Sequence, residues 1–247
     1  SIILVWDGIH LAAAAPLILD QAHVPVRLIP IDGFVGEPFR LLYRDAETFA
    51  SLITACAGMR RPILFRRLVC SASDLATLAG TLRSNSAVIC KPRHASATVH
   101  LPDDFGAFEA LMSSSRRATH RRKWRAAQRD HGEIETEFAT PEPASVSQYL
   151  ARLWAIEGSG WKQRSGTALA ADSRTANFVK QVAERFSQKG MLVLAFLKIG
   201  GRDAACRLLL QERSGWFEIK IGFDEEFARF SPGALLMHET LREGCRR

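Results

Sequence analysis

The sequence predicts an α/β (α+β) chain, with a mixed, mostly antiparallel sheet flanked by helices and two successive lobes. Three observations carry this reading. Strand and helix periods alternate through the first part. The second part sets two amphipathic helices ahead of three closely spaced strands and a last helix. The 247 residues, 47% hydrophobic and 24% charged, have a near-average globular composition and suffice for one large domain or two compact lobes.

Short strands are expected at 2–6, 9–15 and 26–30, the first two joined at Asp7-Gly8. A Gly-rich loop at Gly33–Gly36 and a helix near Ala46–Ala57 follow. Ile63–Val69 reads as a strand, Ser73 and Asp74 as cap candidates for a helix, and Ala87–Lys91 as another strand. Such alternation predicts a mixed or parallel sheet covered by helices. The apolar start from Ile2 to Leu19 is broken by Asp7, Gly8, His10 and Pro16, so neither an export signal nor a membrane span is expected. Residue 1 is Ser and falls almost inside the first strand, so the chain reads as an excerpt of a longer protein.

One long helix is expected from Pro102-Asp103-Asp104 to Gly132, opened by carboxylates that suit a helix N-terminus. Its second part, Arg116 to Arg129, holds seven basic residues and no acidic one. After a strand at Glu133–Phe138 and the Pro141-Glu142-Pro143 break comes a helix burying Val146, Tyr149, Leu150, Leu153 and Trp154. Asp172 or Ser173 caps the next helix, which buries Phe178, Val179, Val182 and Phe186 and ends at Gly190. Met191–Ile199, Ala204–Gln211 and Trp216–Phe223 then form an antiparallel meander. Pro232 suits the first turn of a final helix with Leu235, Leu236 and Leu241 inward.

The five cysteines, Cys56, Cys70, Cys90, Cys206 and Cys245, are odd in number and scattered, which fits a reducing cytoplasm. A net charge of +7 favours an anionic partner: a nucleic acid, an acidic cofactor or an anionic membrane surface. The chain has no Gly-x-Ser-x-Gly elbow, Walker A loop or His-Glu-x-x-His, and its seven histidines lack ligand spacing, so no metal is expected.

The loop ahead of the last helix carries the chemistry. Arg229-Phe230-Ser231-Pro232-Gly233-Ala234 sets small residues and a basic side chain at a helix start, where unpaired amides and the helix dipole favour a phosphate. The same string also fits ordinary helix-start chemistry. With Gly160-Trp161-Lys162, Gly166-Thr167-Ala168, Gly190, Lys220 and Asp224-Glu225, it resembles the CelD-like branch of the GNAT acetyltransferases, related to FemAB peptidyltransferases. A Lys/Arg-rich helix ahead of the last lobe belongs to that resemblance.

The resemblance implies tandem GNAT lobes: a degenerate one at 1–101, truncated at its start, the basic linking helix at 102–132, and an acyltransferase lobe at 133–247 lacking its last strands. It implies transfer of an acetyl or other acyl group from acyl-CoA to an amine by direct attack. Ile221 and Phe223 would offer strand backbone to the pantetheine arm, and Arg229, Ser231, Pro232, Gly233 and Ala234 would face the pyrophosphate. In this sequence Pro232 stands where the family's usual loop has its first Gly. Many GNAT enzymes protonate the leaving thiolate with a Tyr beyond the last helix; the only tyrosines here are Tyr43 and Tyr149.

Candidate bases are Asp224, Glu225 and Glu239, and each also fits a helix-end or surface carboxylate. His238 lies on the same helix, and Lys162 is a candidate for binding an anionic acceptor. Two alternatives stand beside the acyltransferase. The basic face Arg117, Arg121, Arg125, Arg129 could track nucleic-acid phosphates, as a tRNA-binding module or, as the resemblance to FemAB enzymes implies, as part of an aminoacyl-tRNA-dependent transferase, or the lobe could be an inactive assembly partner.

Overall fold

A two-residue connection leaves a strand no way to pair with its predecessor except antiparallel. In the computed structural model, which describes residues 2–31, 39–65, 67–83, 87–91, 97–159, 173–213 and 215–247, β1 (Ile2–Asp7) and β2 (His10–Asp20) meet in this way across Gly8, whose φ is 59°. The chain divides into two units, Ser1–Thr98 and Val99–Arg247.

In the first unit, β3 (Arg27–Pro30) and β4 (Leu42–Tyr43) also pair antiparallel with β2. The expected mixed or parallel sheet is therefore corrected for this unit. Among the described residues, parallel contact is confined to isolated bridges, Leu28 to Ile63 and Phe39 to Leu68, and Arg67, with a φ of 52°, interrupts the extended run 63–69. The expected strand Ala87–Lys91 forms no ladder among the described residues, and its Ile89 is 81% exposed. Its apolar run meets no described sheet edge to pair with. The Gly-rich loop expected at Gly33–Gly36 lies outside the described residues.

Helix α1 (Ala46–Gly58) is opened by an Asp45–Thr48 capping box and buries Phe49, Leu52, Ile53 and Cys56, one face of a 3.6-residue period. Helix α2 (Ala72–Leu82) starts two residues ahead of the expected Ser73, with Ser71 as its cap. Ser71 Oγ accepts from the Asp74 amide at 3.1 Å, and the Asp74 carboxylate accepts from the Ser71 amide at 2.8 Å. The core collects Ala15, Leu17, Leu28, Phe49, Leu52 and Leu78.

In the second unit the single helix expected over 102–132 is two, α3 (Phe105–Leu111) and α4 (Ser114–His131). Met112 and Ser113 are extended between them, with ψ of 144° and 147°. Ser113 starts the second helix by accepting from the Arg116 amide at 3.3 Å. The Arg117 guanidinium donates back to the carbonyls of Glu109 and Met112 at 3.0 and 2.6 Å, satisfying the end of α3.

Four antiparallel strands follow in the order β5-β6-β7-β8: Ile134–Ala139, Leu192–Ile199, Arg202–Glu212 and Gly215–Phe223. The β6–β7 turn requires glycine at 200, since a Cβ there would lie 2.5 Å from the His131 carbonyl oxygen and φ is 57°. Alternating residues of β6 divide the core. Leu192, Leu194 and Phe196 face α5 (Val146–Gly158) and α6 (Ser173–Gln188), joined by Val146, Leu150, Leu153, Val179 and Ala183. Ala195, Leu197 and Ile199 face α4 and α7 (Pro232–Gly244), joined by Ala127, Leu235 and Leu236. The Asp172 cap expected for α6 lies outside the described residues.

Arg152 of α5 ties this sheet together. Its guanidinium bonds both oxygens of Glu137 (3.1 and 2.9 Å) and of Asp203 (2.8 and 2.9 Å), and lies 3.8 Å above the Phe196 ring centroid. Replacing it with Ala leaves two carboxylates without their arginine over an aromatic face. Arg152→Ala is expected to lower unfolding free energy by about 2 kcal/mol, read as a shift in urea midpoint at constant slope.

Candidate functional site

The strand β8 leads into a 3₁₀ turn, Glu225–Phe230, and then α7. Asp224 starts the turn by accepting from the Glu226 amide at 3.0 Å, and Phe227 and Phe230 anchor it in the core. Ser231 then adopts a left-handed conformation (φ 57°, ψ 54°), and its amide closes on the Ala228 carbonyl at 2.9 Å. Pro232 follows with no N–H to donate. The Ala234 and Leu235 amides both donate to the Ser231 carbonyl, at 2.9 and 3.1 Å.

Gly233 is thus the residue in the first turn of α7 whose amide has no acceptor among the described residues. Ser231 is exposed and its side chain makes no capping bond. A Cβ on Gly233 would meet Phe223 Cδ1 at 3.9 Å, an ordinary contact, and no closer side chain among the described residues fills this spot. The donor set at this helix start is one amide, one hydroxyl and the positive end of the α7 dipole.

The basic helix supplies the rest. Lys123 Nζ donates to the Arg229 carbonyl, and the Arg229 guanidinium pairs with Asp130 at 3.2 Å and covers the Phe230 ring at 4.4 Å. Arg121, Arg122, Lys123, Arg125, Arg129 and Arg229 line one groove of about 790 Å³, in which Asp130 is the acidic residue. Two features read separately in the sequence thus meet at Arg229 and Phe230, which line the groove together with the basic helix. The signal for their meeting is present in the helix itself: His120, Trp124, Ala127 and His131 recur at helical spacing among the arginines. Ala127 is fully buried, Trp124 packs on the same core, and His131 meets Phe227 and Phe230 edge-on.

Along β8 the ladder slips: Leu208 pairs with Lys220 and Leu209 with Glu218, leaving Ile219 as a bulge. Beyond it, Ile221 and Phe223 are 46% and 39% exposed, with Phe223 beside Gly233. Arg207, opposite Ile221 in the register, is 4% exposed. It pairs with Glu218 and reaches the Gly233 carbonyl at 3.4 Å; burial pulls its pKa down to about 10. Neither this buried arginine nor the bulge was singled out from the sequence. Lys220 instead pairs with the buried Glu157 at 3.1 Å, on the face covered by α5.

The remaining expected residues lie elsewhere. Asp224 holds the turn and stands 3.5 Å from Arg202. Glu239 is about two helical turns along α7 from Pro232 and is buried, accepting from Arg242 at 3.0 and 2.8 Å and approaching His238 Nδ1 at 3.3 Å. Burial works to raise its pKa, but the His238 hydrogen bond and the charge of Arg242 leave it below the usual value. Lys162 lies outside the described residues, as do the rest of Gly160–Lys162 and Gly166–Ala168. No helix among the described residues is long and apolar enough to cross a membrane.

Three solved structures share the fold. A conserved protein of unknown function from Bacteroides thetaiotaomicron is similar at 12% identity and TM-score 0.59, covering 94% of this chain and 70% of that one. FemX is similar at 10% identity and TM-score 0.57, covering 99% and 76%. The C-terminal DUF2156 domain of an Agrobacterium fabrum protein named as a putative lysylphosphatidylglycerol synthetase is similar at 16% identity and TM-score 0.53, covering 94% and 64%. At these identities the likeness shows the fold alone. No curated protein sequence matches the chain. The acetyltransferase (GNAT) domain family matches residues 114–247, which take in the basic helix, the four-stranded sheet and the turn before α7. The chain belongs to the GNAT acetyltransferase domain family.

Proposed function

We propose that the second unit transfers an acetyl or other acyl group from acyl-CoA to an amine, within a ternary complex and with no covalent enzyme intermediate. The observation that carries this reading is the Gly233 amide, which among the described residues has no acceptor and only Phe223 near its Cα, at a helix start beside a groove of basic side chains. A pyrophosphate is doubly charged and rich in acceptors. The Gly233 N–H, the Ser231 hydroxyl and the α7 dipole suit it at one side, and Arg229 supplies a planar fork of donors at the other.

The exposed Ile221 and Phe223 give an apolar track for the pantetheine arm leading away from the turn. The bulge at Ile219 interrupts the β7–β8 ladder near the end of that track, where backbone donors would face the thioester carbonyl. The amine nitrogen attacks the carbonyl carbon, the C–S bond breaks, and CoA leaves as the thiolate. The proton lost by the nitrogen balances the one the thiolate takes up. Most of the acceleration in this scheme comes from holding amine and thioester together. Asp224 and Glu239 both carry structural ties already, so the roles assigned here belong to the donor half of the site.

Titration of the protein with acetyl-CoA by calorimetry tests this. Saturable binding is expected, and Arg229→Ala should weaken it about 5- to 10-fold, the size of one exposed charge-assisted contact. An affinity unchanged in both Arg229→Ala and Gly233→Trp, or no binding at all, overturns the assignment. Tight, salt-sensitive RNA binding without acetyl-CoA binding would instead make the α4 groove a nucleic-acid surface.

A further inference from the structure

Along α4 the basic side chains outnumber the partners that the fold gives them. From Arg116 to Arg129 the helix carries seven lysines and arginines and no acid, so like charges stand three and four residues apart and repel unless an anion lies between them. Arg117 turns back onto the carbonyls of α3, and Lys123 Nζ donates to the Arg229 carbonyl. Asp130 takes both Arg129, at 2.9 Å, and Arg229, at 3.2 Å. Arg121, Arg122 and Arg125 are exposed, and none of the three has an acidic partner among the described residues.

These three arginines line the groove that Arg229 and Phe230 line from the turn. Ala118 and Ala126 flank Arg122 at four-residue spacing on the same face of α4, and their small side chains leave room above the helix for a compact group. From Arg122 to Arg129 this face extends about 10 Å along the helix axis. In the acyl-CoA reading the diphosphate is met by the Gly233 amide, the Ser231 hydroxyl and Arg229, so it leaves the α4 arginines unused. Gly233 follows Arg229 by four residues, and a ligand anchored there reaches the α4 side of the groove through a second anionic group. Coenzyme A has one: the phosphate monoester on C3′ of its ribose, one sugar ring from the diphosphate, which near pH 7 is mostly a dianion.

We infer that Arg122 and Arg125 of α4 bind the ribose 3′-phosphate of the donor, so that the protein selects CoA thioesters over those of 3′-dephospho-CoA. The inference rests on the acyl-CoA reading of the turn and adds a second point of recognition to it. A guanidinium presents a planar fork of donors that matches two phosphate oxygens, and two such forks one helical turn apart enclose a single phosphate. The bound dianion also relieves the repulsion among Arg121, Arg122 and Arg125. The basic helix thereby fixes the nucleotide end of the donor, and the strand β8 is left to hold the thioester end.

Calorimetric titration of the full chain with CoA and with 3′-dephospho-CoA tests this on the unaltered protein. CoA is expected to bind at least ~10-fold more tightly, the size of one charge-assisted contact, and the gap should narrow as salt rises because the arginines are exposed. In a double variant, Arg122→Gln with Arg125→Gln, both replacements are good helix formers on an exposed face, and circular dichroism checks the fold. CoA should there fall to roughly the affinity of 3′-dephospho-CoA, whose own binding should change by less than about 3-fold. Equal affinity of the unaltered protein for the two ligands overturns the inference and leaves the acyl-CoA reading in place, whereas binding of neither overturns both. A preference for CoA that persists in full in the folded double variant also overturns it. So does RNA held through these arginines while CoA and 3′-dephospho-CoA bind alike, which would make the groove a nucleic-acid surface.

Discussion

Gly233→Trp is expected to weaken acetyl-CoA binding at least ~100-fold while leaving the second unit folded. The reason is local. Gly233 lies between the exposed turn and Phe223, and a Cβ at this position would stand 3.9 Å from the Phe223 ring, so one carbon fits, whereas an indole would fill the space beside the Gly233 amide that a diphosphate needs. Its backbone is not in the left-handed region, so a side chain brings no backbone strain. Gly233→Ala therefore serves as the matched control and should keep affinity within about 3-fold, roughly 0.7 kcal/mol. Calorimetry reads both affinities, and circular dichroism reads the fold. Equal affinity in the Trp and Ala variants would remove the turn from the cofactor site.

The second large effect concerns stability. Glu218→Ala is expected to lower unfolding free energy by about 3 kcal/mol, because it strands the buried Arg207 cation. Replacing both, as Arg207→Met with Glu218→Leu, should recover most of that loss, since the burial cost of the ions disappears with them. Urea unfolding of Arg207→Met, Glu218→Leu and the double variant measures the coupling. Additive losses would show that the pair acts as two independent side chains. Because Arg207 also reaches the Gly233 carbonyl, the Arg207 variants should disturb the first turn of α7 as well.

Much of the fold was legible because its signals are local. The 3.6-residue spacing of Val146, Leu150 and Leu153 and of Phe49, Leu52 and Cys56 gave α5 and α1. The meander of β6, β7 and β8 followed from period-two alternation and the Gly200-Gly201 turn. Where reading failed, a competing interaction won. Arg117 and Ser113 split the helix expected over 102–132, and nothing in the apolar period marks that break. Ile63–Val69 and Ala87–Lys91 have strand-like composition, but a strand exists only where an edge receives it.

The candidate site divides in the same way. Arg229, Ser231, Pro232 and Gly233 stand at a helix start because Pro and small residues specify one, and this needed only the string itself. That the Gly233 amide has no acceptor among the described residues, while the Ala234 amide has one, depends on the left-handed Ser231, a conformation the sequence did not announce.

By itself, then, the sequence determined the order of elements from β5 onward, the helix start after β8 and the charge of α4. Only the tertiary structure decided that Lys123 lies against the Arg229 carbonyl, 106 residues away, that Arg207 is buried beside Glu218, and that His120 stacks on His238. Caps, turns and periods are fixed by neighbours along the chain. Meetings between distant side chains are fixed by which face of the sheet each helix covers, and that choice is made by burying Ala127, Leu235 and Leu236 against Ala195 and Leu197.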